Sequence, residues 1–460
     1  MFDTAIAPVI AAITAAGGHA LIVGGAVRDM VLGTQPKDVD IEVYRLSVAD
    51  LSTVLTQFGD VRAVGISFGV LKLQHVGREY DISLPRRERK AGSGHRGFVI
   101  EADPTMTPRE AAARRDFTCN ALAYDPLTGE ILDFFGGRAD LAARRLRHVG
   151  PAFAEDPLRV LRGMQFAARL ALTIDGETAA LCRSLFSEYP TLARERIWAE
   201  WSKWANQGVA PAAGLRVLDA TGWLAHYPAL VTLQGCLQNQ LYHPEGDVWT
   251  HTGHVTDAAA HIATRDGLVD DDRIVLVLAA LCHDLGKPLT TVERADGRIA
   301  APGHAAAGIA PTQQLLDQIG CPPELSARVV ALVREHMLHI SIRGDVSATL
   351  VRRLADRLGQ AGEQITMLAR LTEADNSGRP PQAGGMPASM SAIVRAAEHL
   401  RVTSAAPVPI LLGRHLREIG YSPGPQLGVI LRAAREAQLD GAFDHVDGAL
   451  AWVGVAFPKG

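Results

Sequence analysis

Two aspartates two residues apart, Asp38 and Asp40, follow a pair of adjacent glycines, Gly24-Gly25, that closes the apolar run Ala20-Leu21-Ile22-Val23. The glycines predict a tight, side-chain-free turn at the end of a buried strand, where backbone N–H groups approach a phosphate closely. The alternation in Asp38-Val39-Asp40-Ile41-Glu42-Val43 is that of a half-buried strand, with both carboxylates on one face and Val39 and Ile41 on the other. Two hard oxygen ligands beside a phosphate-cradling loop suit a pair of Mg2+ ions that activate a 3′-hydroxyl and steady a triphosphate leaving group. An isolated Asp-x-Asp is more often a solvated pair on an exposed strand; the glycine turn in front of it tips the reading towards metal. Asp81, in the strand pattern of residues 79–84, is a candidate third carboxylate, equally well explained as a solvated strand residue.

Arg114-Arg115-Asp116 comes after the alanine-rich helix start behind Pro108. Its guanidinium groups suit triphosphate or ribose contacts, and a surface ion-pair cluster explains it equally well. In Glu155-Asp156-Pro157-Leu158-Arg159 the proline marks the first turn of a helix, with Asp156 at its N-terminal end and Arg159 on the same face one turn on. Acceptor oxygens beside a fork of donors complement the Watson–Crick edge of a base. The simpler account is an N-capping aspartate with an i+3 ion pair. The surrounding basic residues, Arg138, Arg144, Arg145, Arg147, Arg162 and Arg169, weigh against it and supply an electrostatic footprint for an RNA backbone.

The second half is marked by histidines. An apolar run over 274–282 ends in adjacent His283-Asp284, preceded by His251 and followed by His304, His336 and Asp375. Imidazole and carboxylate from separate helices can converge on a divalent ion that activates water for phosphoester hydrolysis. His243, His254, His261 and His339 read as ordinary helical or surface histidines.

These residues need a scaffold of several domains, which 460 residues allow. A net charge of −4 excludes a uniformly basic, DNA-coating protein but not a local basic surface. Five dispersed cysteines without a Cys-x-x-Cys spacing suit buried thiols in a reducing cytosol. The alanine-rich start, interrupted by Pro8, suits an amphipathic first helix better than a signal peptide, and no apolar run reaches a membrane span, so a soluble, cytoplasmic protein is expected. Strands are expected at 66–76 and 79–84, and a mobile basic, glycine-rich loop over 85–108. From about 138 helical periodicity takes over, and a Pro/Gly-rich interval at 378–385 separates the histidine-bearing region from a C-terminal helical segment.

Taken in order, Gly24-Gly25-Ala26-Val27-Arg28-Asp29, Asp38-Val39-Asp40, Arg114-Arg115-Asp116, Gly136-Gly137-Arg138-Ala139-Asp140-Leu141, Glu155-Asp156-x-x-Arg159 and Glu195-Arg196-Ile197-x-x-Glu200 resemble the class II tRNA nucleotidyltransferases, the CCA-adding enzymes, over roughly residues 1–205. Residues 240–378 resemble the HD-domain metal phosphohydrolases, which implies hydrolysis of phosphomonoesters and 2′,3′-cyclic phosphates that would clean a damaged tRNA 3′ end. The resemblance implies an α+β, polymerase-beta-like nucleotidyltransferase head with a mixed sheet (1–137), then an all-α remainder: neck and body (138–240), HD domain (241–380) and tail (381–460). It implies Asp38 and Asp40 as catalytic Mg2+ ligands. Nucleotide binding falls to Gly25, Arg28, Arg114, Arg115, Asp116, Asp156, Arg159 and Arg162, with Asp156 and Arg159 as a protein template selecting CTP and ATP. It implies His251, His283, Asp284 and Asp375 as ligands of a transition metal or Mg2+, with His304 and His336 candidates for a second ion or phosphate contacts. The partners implied are tRNA, CTP and ATP, with neither DNA nor membrane. Poly(A) polymerases look similar but usually carry a basic pair between Gly and Phe, where this chain has Gly65-Ile66-Ser67-Phe68; CC-adding enzymes tend to lack the loop supplied by 85–108. A non-catalytic tRNA-binding protein is the alternative of another class. Departures from the family pattern, Cys119 and Arg194, touch none of the proposed chemistry.

Overall fold

The computed structural model describes residues 4–36, 38–63, 70–90, 98–342 and 344–458, with only the backbone of 87–90 and 98–100. The chain divides into two compact units, Met1–Glu200 with Ala213–His226, and Trp201–Ala212 with Tyr227–Gly460.

The first unit is built on strands β1 (His19–Val23), β2 (Asp40–Tyr44), β3 (Asp60–Ala63), β4 (Val70–His75), β5 (Arg78–Ser83), β6 (Arg86–Lys90), β7 (Phe98–Ala102), β8 (Ala123–Asp125) and β9 (Glu130–Leu132). Seven of them form one sheet in the order β3-β4-β5-β2-β1-β8-β9. It is mixed: β2 and β5 run parallel, the other pairs antiparallel. The alternation read from the sequence is present in β2, where Ile41 and Val43 are buried while Asp40 is exposed. Ile41 joins Ile13, Ile22, Leu51 and Leu55 as fully buried side chains, drawn from β1, β2 and the helices Ala7–Ala15 and Val48–Leu55. The initial helix carries Pro8 in its first turn, which a helix tolerates because that N–H has no intrahelical partner.

One expectation changes here. Of the loop expected over 85–108, residues 91–97 lie outside the described residues, and the described flanks are not structureless. β6 and β7 pair antiparallel, Arg86 with Ala102 through Lys90 with Phe98, and a helix, Pro108–Ala113, follows with a Thr107/Glu110 capping box. The basic run hid the first strand because it offers no apolar alternation; a two-stranded ribbon needs only the backbone ladder. Of the strand expected over 66–76, Val70–His75 is present among the described residues. Residues 64–69, and with them the Gly65-Ile66-Ser67-Phe68 discriminator, lie outside the described residues.

Among the described residues helices dominate from 137 onward, with strands confined to two-residue pairs at 145–146/173–174 and 292–293/299–300. Phe117, fully buried, anchors the junction after the sheet: its ring lies edge-on to Phe153 at 5.4 Å and to Phe166 at 5.9 Å. In the second unit the helix Asp270–Cys282 is buried along its whole apolar length and packs against the helices Val248–Arg265, Pro323–Glu335 and Ile365–Ser377. Such burial on every face is expected for a central helix. The C-terminal helices close over a small core of their own that includes Leu416, Ile430, Ala449 and Val453. All five cysteines are free thiols, and among the described residues no helix is long and apolar enough to cross a membrane.

Replacing Phe117 by Ala removes the aromatic contacts and leaves a cavity. A loss of about 3–5 kcal/mol is expected in denaturant unfolding of the first unit; a loss below about 1 kcal/mol would contradict this packing.

Candidate active sites

In the first unit the sheet register creates the acidic face. Asp40 stands opposite Val23, the last residue of β1, and beside Asp81 of β5 on its other flank. Neighbours in register project to the same side, so these carboxylates share the surface next to the Gly24 turn. Asp38 lies before the strand rather than in it, because β1 ends at Val23 and offers no further ladder partner. It is exposed, and its charge still acts on Asp40. Burial of the surrounding chain raises the Asp40 pKa, and Asp81, Asp38 and Glu42 push it the same way against the pull of Arg115. Asp81 Oδ1 is buried without a well-aligned hydrogen bond, although Lys72 Nζ lies 3.3 Å away. Mutually repelling carboxylates with an unsatisfied acceptor fit a hard divalent cation such as Mg2+.

Gly24 sits at φ 72°, and a Cβ there would fall 2.6 Å from Arg115 Nη1. The glycine lets Arg115 lie between the turn and the acidic face, with Nη2 3.9 Å from Glu42 Oε1. Gly25 begins the helix Gly25–Val31. Arg28 is placed differently from a free phosphate ligand. It is buried, with Nη1 donating to Asn120 Oδ1 at 2.7 Å and Nη2 to Asp29 Oδ1 at 2.7 Å, and its guanidinium lies over the Phe166 ring.

Asp116, Asp156, Arg159 and Arg162 converge where this region meets the helices that follow. Arg162 Nε donates to Asp116 Oδ2 at 2.7 Å, and Asp116 Oδ1 accepts from Asn120 Nδ2 and the Phe117 amide. Burial alone would raise the Asp116 pKa; Arg162 and these donors hold it below the usual carboxylate range. Arg114 pairs with Glu155 at 2.8 Å. The expectation that Asp156 and Arg159 present a joint edge changes in detail. Asp156 caps the Leu158 amide and pairs with Arg196 at 2.7 Å, whereas Arg159 donates to the carbonyls of Ala152 and Arg114. The helix Arg159–Leu170 starts at Arg159 itself, which turns that side chain back towards residues 152 and 114. Arg196 stands in the Glu195-Arg196-Ile197 motif, the signal that could have placed it at this site.

In the second unit His251, His283, Asp284, His304, His336 and Asp375 come together from separate elements. Ligand atoms of His251, His283 and Asp375 form one group within 4.8 Å, and those of Asp284, His304 and His336 another. Asp284 joins them: Oδ2 lies 3.1 Å from His283 Nε2 and Oδ1 3.4 Å from His304 Nε2. Ring orientation is set from behind. Nδ1 of His283, His304 and His336 donates to the carbonyls of Ala280, Ala301 and Val333, each three residues back, at 2.7–2.8 Å. A carbonyl can only accept, so in the neutral rings Nε2 carries the lone pair.

His304 Nε2 and His336 Nε2 nonetheless lie 3.2 Å apart. Burial lowers the pKa of both, that of His336 to about 3 with further pressure from His283 and His304, so two lone pairs face each other. Burial would also lower the His251 pKa, but Asp375 and Glu245 raise it to about 9. Asp284 Oδ2 has no well-aligned hydrogen bond, although Lys287 Nζ lies 2.6 Å away. Facing lone pairs and crowded buried carboxylates are the donor set a divalent cation satisfies.

His243 does not belong with the ordinary histidines. Glu245 Oε1 accepts from both His243 Nδ1, at 2.9 Å, and His251 Nδ1, at 2.8 Å, and His243 borders the same cavity as Asp284. Glu245 thus orients His251 from outside the ligand set. His254 is exposed and away from this group, as expected. Gly378 is likewise no mere spacer: its carbonyl accepts from His251 Nδ1 at 3.2 Å. Gly286 is required because a Cβ there would fall 2.0 Å from the His304 carbonyl oxygen. Over the centre opens a cavity of about 600 Å³, whose walls include Lys287, Arg379, Gln238 and Asn239.

A mixed-sheet head with an acidic strand end, and a helical unit with a His-Asp centre, define a nucleotidyltransferase joined to an HD domain. The family model for the poly A polymerase head domain matches residues 20–147, and that for the HD domain matches 248–375. The chain belongs to the multifunctional CCA protein family. It is 40% identical to the multifunctional CCA protein of Xanthomonas oryzae over 429 residues, 92% of this chain and 98% of that protein. It is 39% identical to that of Xylella fastidiosa over 366 residues, covering 78% and 83%. The fold matches the Bacillus stearothermophilus CCA-adding enzyme in complex with CTP, with a TM-score of 0.68 at 22% identity over 99% and 98% of the two chains. It also matches the Thermotoga maritima CCA-adding enzyme complexed with tRNA, at 0.57 and 18% over 99% and 96%.

The buried Asp116–Arg162 pair gives acid sensitivity a definite sign. Asp116 is depressed in the folded state, so its stabilisation is present above about pH 4, the unfolded value, and fades as pH falls through the folded one. Asp116→Asn is expected to lower the melting temperature near neutral pH and to lose less between about pH 5 and pH 3 than the parent. Parallel acid curves would remove Asp116 as the source.

Proposed function

We propose that the chain extends the 3′ end of tRNA with C, C and A from CTP and ATP, without a nucleic-acid template, and repairs damaged ends through its HD centre by removing terminal phosphates and opening 2′,3′-cyclic phosphates. The observation that carries the first activity is the register that sets Asp40 between Val23, next to the Gly24 turn, and Asp81. The membership of the family and the curated relatives' names support the same reading. In this reading residues 1–137 are the head, 138–240 the neck and body, 241–380 the HD domain and 381–460 the tail.

Asp38 and Asp40, with Asp81 alongside, would hold Mg2+, which when bound lowers the pKa of the 3′-hydroxyl and offsets triphosphate charge. Arg115 and the Gly25 amide at the start of its helix steady the triphosphate; the Gly24 amide donates to the Leu122 carbonyl, and Arg28, fixed by Asp29 and Asn120, keeps that turn in shape. Arg114 and Asp116 hold the nucleotide end of the network, with Arg162 neutralising Asp116. Asp156, aimed by Arg196, reads the base edge, and Arg159, held by the carbonyls of Ala152 and Arg114, does so with the N–H groups that those two bonds leave over. A cytoplasmic location, where tRNA and nucleotides meet, belongs to the same proposal.

In the HD centre His251, His283, Asp284 and Asp375 would hold one divalent ion, and His304 with His336 a second across Asp284. Such ions supply an activated water and charge neutralisation at phosphorus. Lys287, buried against Asp284 and Gln238, and Arg379, whose Nε is buried without a hydrogen bond, provide cationic walls for a terminal phosphate.

Asp40→Ala is expected to cut CMP incorporation into a tRNA transcript by more than about a hundredfold while sparing phosphohydrolase activity; His283→Ala should do the reverse. Normal incorporation by Asp40→Ala would overturn the head assignment. On the same transcript, three added nucleotides separate CCA addition from a poly(A) tail or a CC end, and none from a binding protein without catalysis. Arg196→Ala should relax the choice among CTP, ATP and UTP more than it weakens tRNA binding; an unchanged choice would remove Asp156 from base reading.

A further inference from the structure

The hairpin over the HD cavity carries a charge arrangement that the proposed hydrolysis does not use. Val292 pairs with Ala300 and Glu293 with Ile299, and the next bond runs from the Arg294 amide to the Arg298 carbonyl at 2.9 Å. Arg294 and Arg298 are therefore directly opposite, with side chains on one face of a ribbon whose strands are two residues each. Like charges in that position destabilise a hairpin. Arg298 is partly offset by Asp296, 2.9 Å away on the exposed tip, whereas among the described residues no carboxylate pairs with Arg294. Both arginines line the same cavity as Asp284 and Asp375.

We propose that Arg294 and Arg298 form an anion subsite for the phosphodiester that precedes the terminal phosphate of an RNA 3′ end. The proposal rests on the phosphohydrolase reading of the HD centre and specifies its substrate. Two guanidinium forks on one face suit the paired oxygens of a phosphate. Three features favour a nucleotide over a bare anion. At about 600 Å³ the cavity has nucleotide rather than phosphate dimensions. Leu237, Tyr242 and Ile340 are exposed apolar side chains on its lining. An aromatic face among them accepts any nucleobase by stacking. The centre would thus prefer an oligonucleotide end, or its smallest mimic with a phosphate on each side of the ribose, over a mononucleotide with one.

The test compares adenosine 3′,5′-bisphosphate with adenosine 3′-monophosphate on the full-length, metal-loaded protein. The parent should release 3′-phosphate from the bisphosphate with kcat/KM about tenfold higher. Arg294→Ala and Arg298→Ala should each reduce that advantage several-fold with the monophosphate unaffected, Arg294→Lys should restore part of it, and Arg294→Glu should reverse it. Equal kcat/KM on the two compounds, or equal losses on both in the alanine variants, would overturn the subsite. Calorimetric titration of both compounds reads the subsite independently of turnover. Arginine-dependent preference for the bisphosphate without any phosphate release would remove the hydrolase reading and keep the subsite, and turnover without arginine dependence would do the opposite. An advantage shared by adenosine 5′-diphosphate, which lacks a 3′-phosphate, would assign the pair to free nucleotides and overturn the RNA-end proposal.

Discussion

The second unit depends on one repeated hydrogen bond, from a histidine Nδ1 to the carbonyl three residues before it. At His283 and His336 that carbonyl belongs to the last turn of a helix, among the acceptors that a helix end leaves without intrahelical donors. One bond satisfies an orphan acceptor, selects the ring tautomer and turns Nε2 towards the centre. Both helices also direct the negative ends of their dipoles to the region where positive charge is needed. The crowding of Nε2 atoms and carboxylate oxygens is therefore imposed by backbone geometry and does not rely on attraction among the ligands themselves.

A comparable division of labour holds in the first unit. The ladder between β1, β2 and β5 sets Asp40 and Asp81 side by side, although their charges oppose it. Arg115 approaches because Gly24 has no side chain, and Arg28 is committed to Asp29 and Asn120 underneath. In both units the cost of crowding like groups at the site is borne by elements with large apolar faces, the seven-stranded sheet in one case and the helix Asp270–Cys282, buried from Arg273 onward, in the other.

Residue order made the ligand sets legible because each lies in a short local pattern: a glycine pair before an aspartate, or His-Asp at the end of an apolar run. What stayed hidden depends on partners distant in the chain. The Asp156–Arg196 pair spans forty residues, and no local spacing shows that Arg159 turns back to the carbonyl of Arg114. His243 looked ordinary because its meaning comes from Glu245, shared with His251. The ribbon of β6 and β7 escaped notice because backbone pairing leaves little trace in a basic run.

The link between Asp116 and Arg162 limits how this molecule can be taken apart. The stretch matched by the head family model stops at residue 147, fifteen positions short of the arginine that neutralises a buried aspartate inside it. A fragment cut there would carry an uncompensated interior charge. Recombination between relatives that separated the two would meet the same penalty. The unit of inheritance is accordingly larger than the sheet: the helix bearing Arg162 travels with it, and grafting a foreign neck onto this head means bringing a matching guanidinium along.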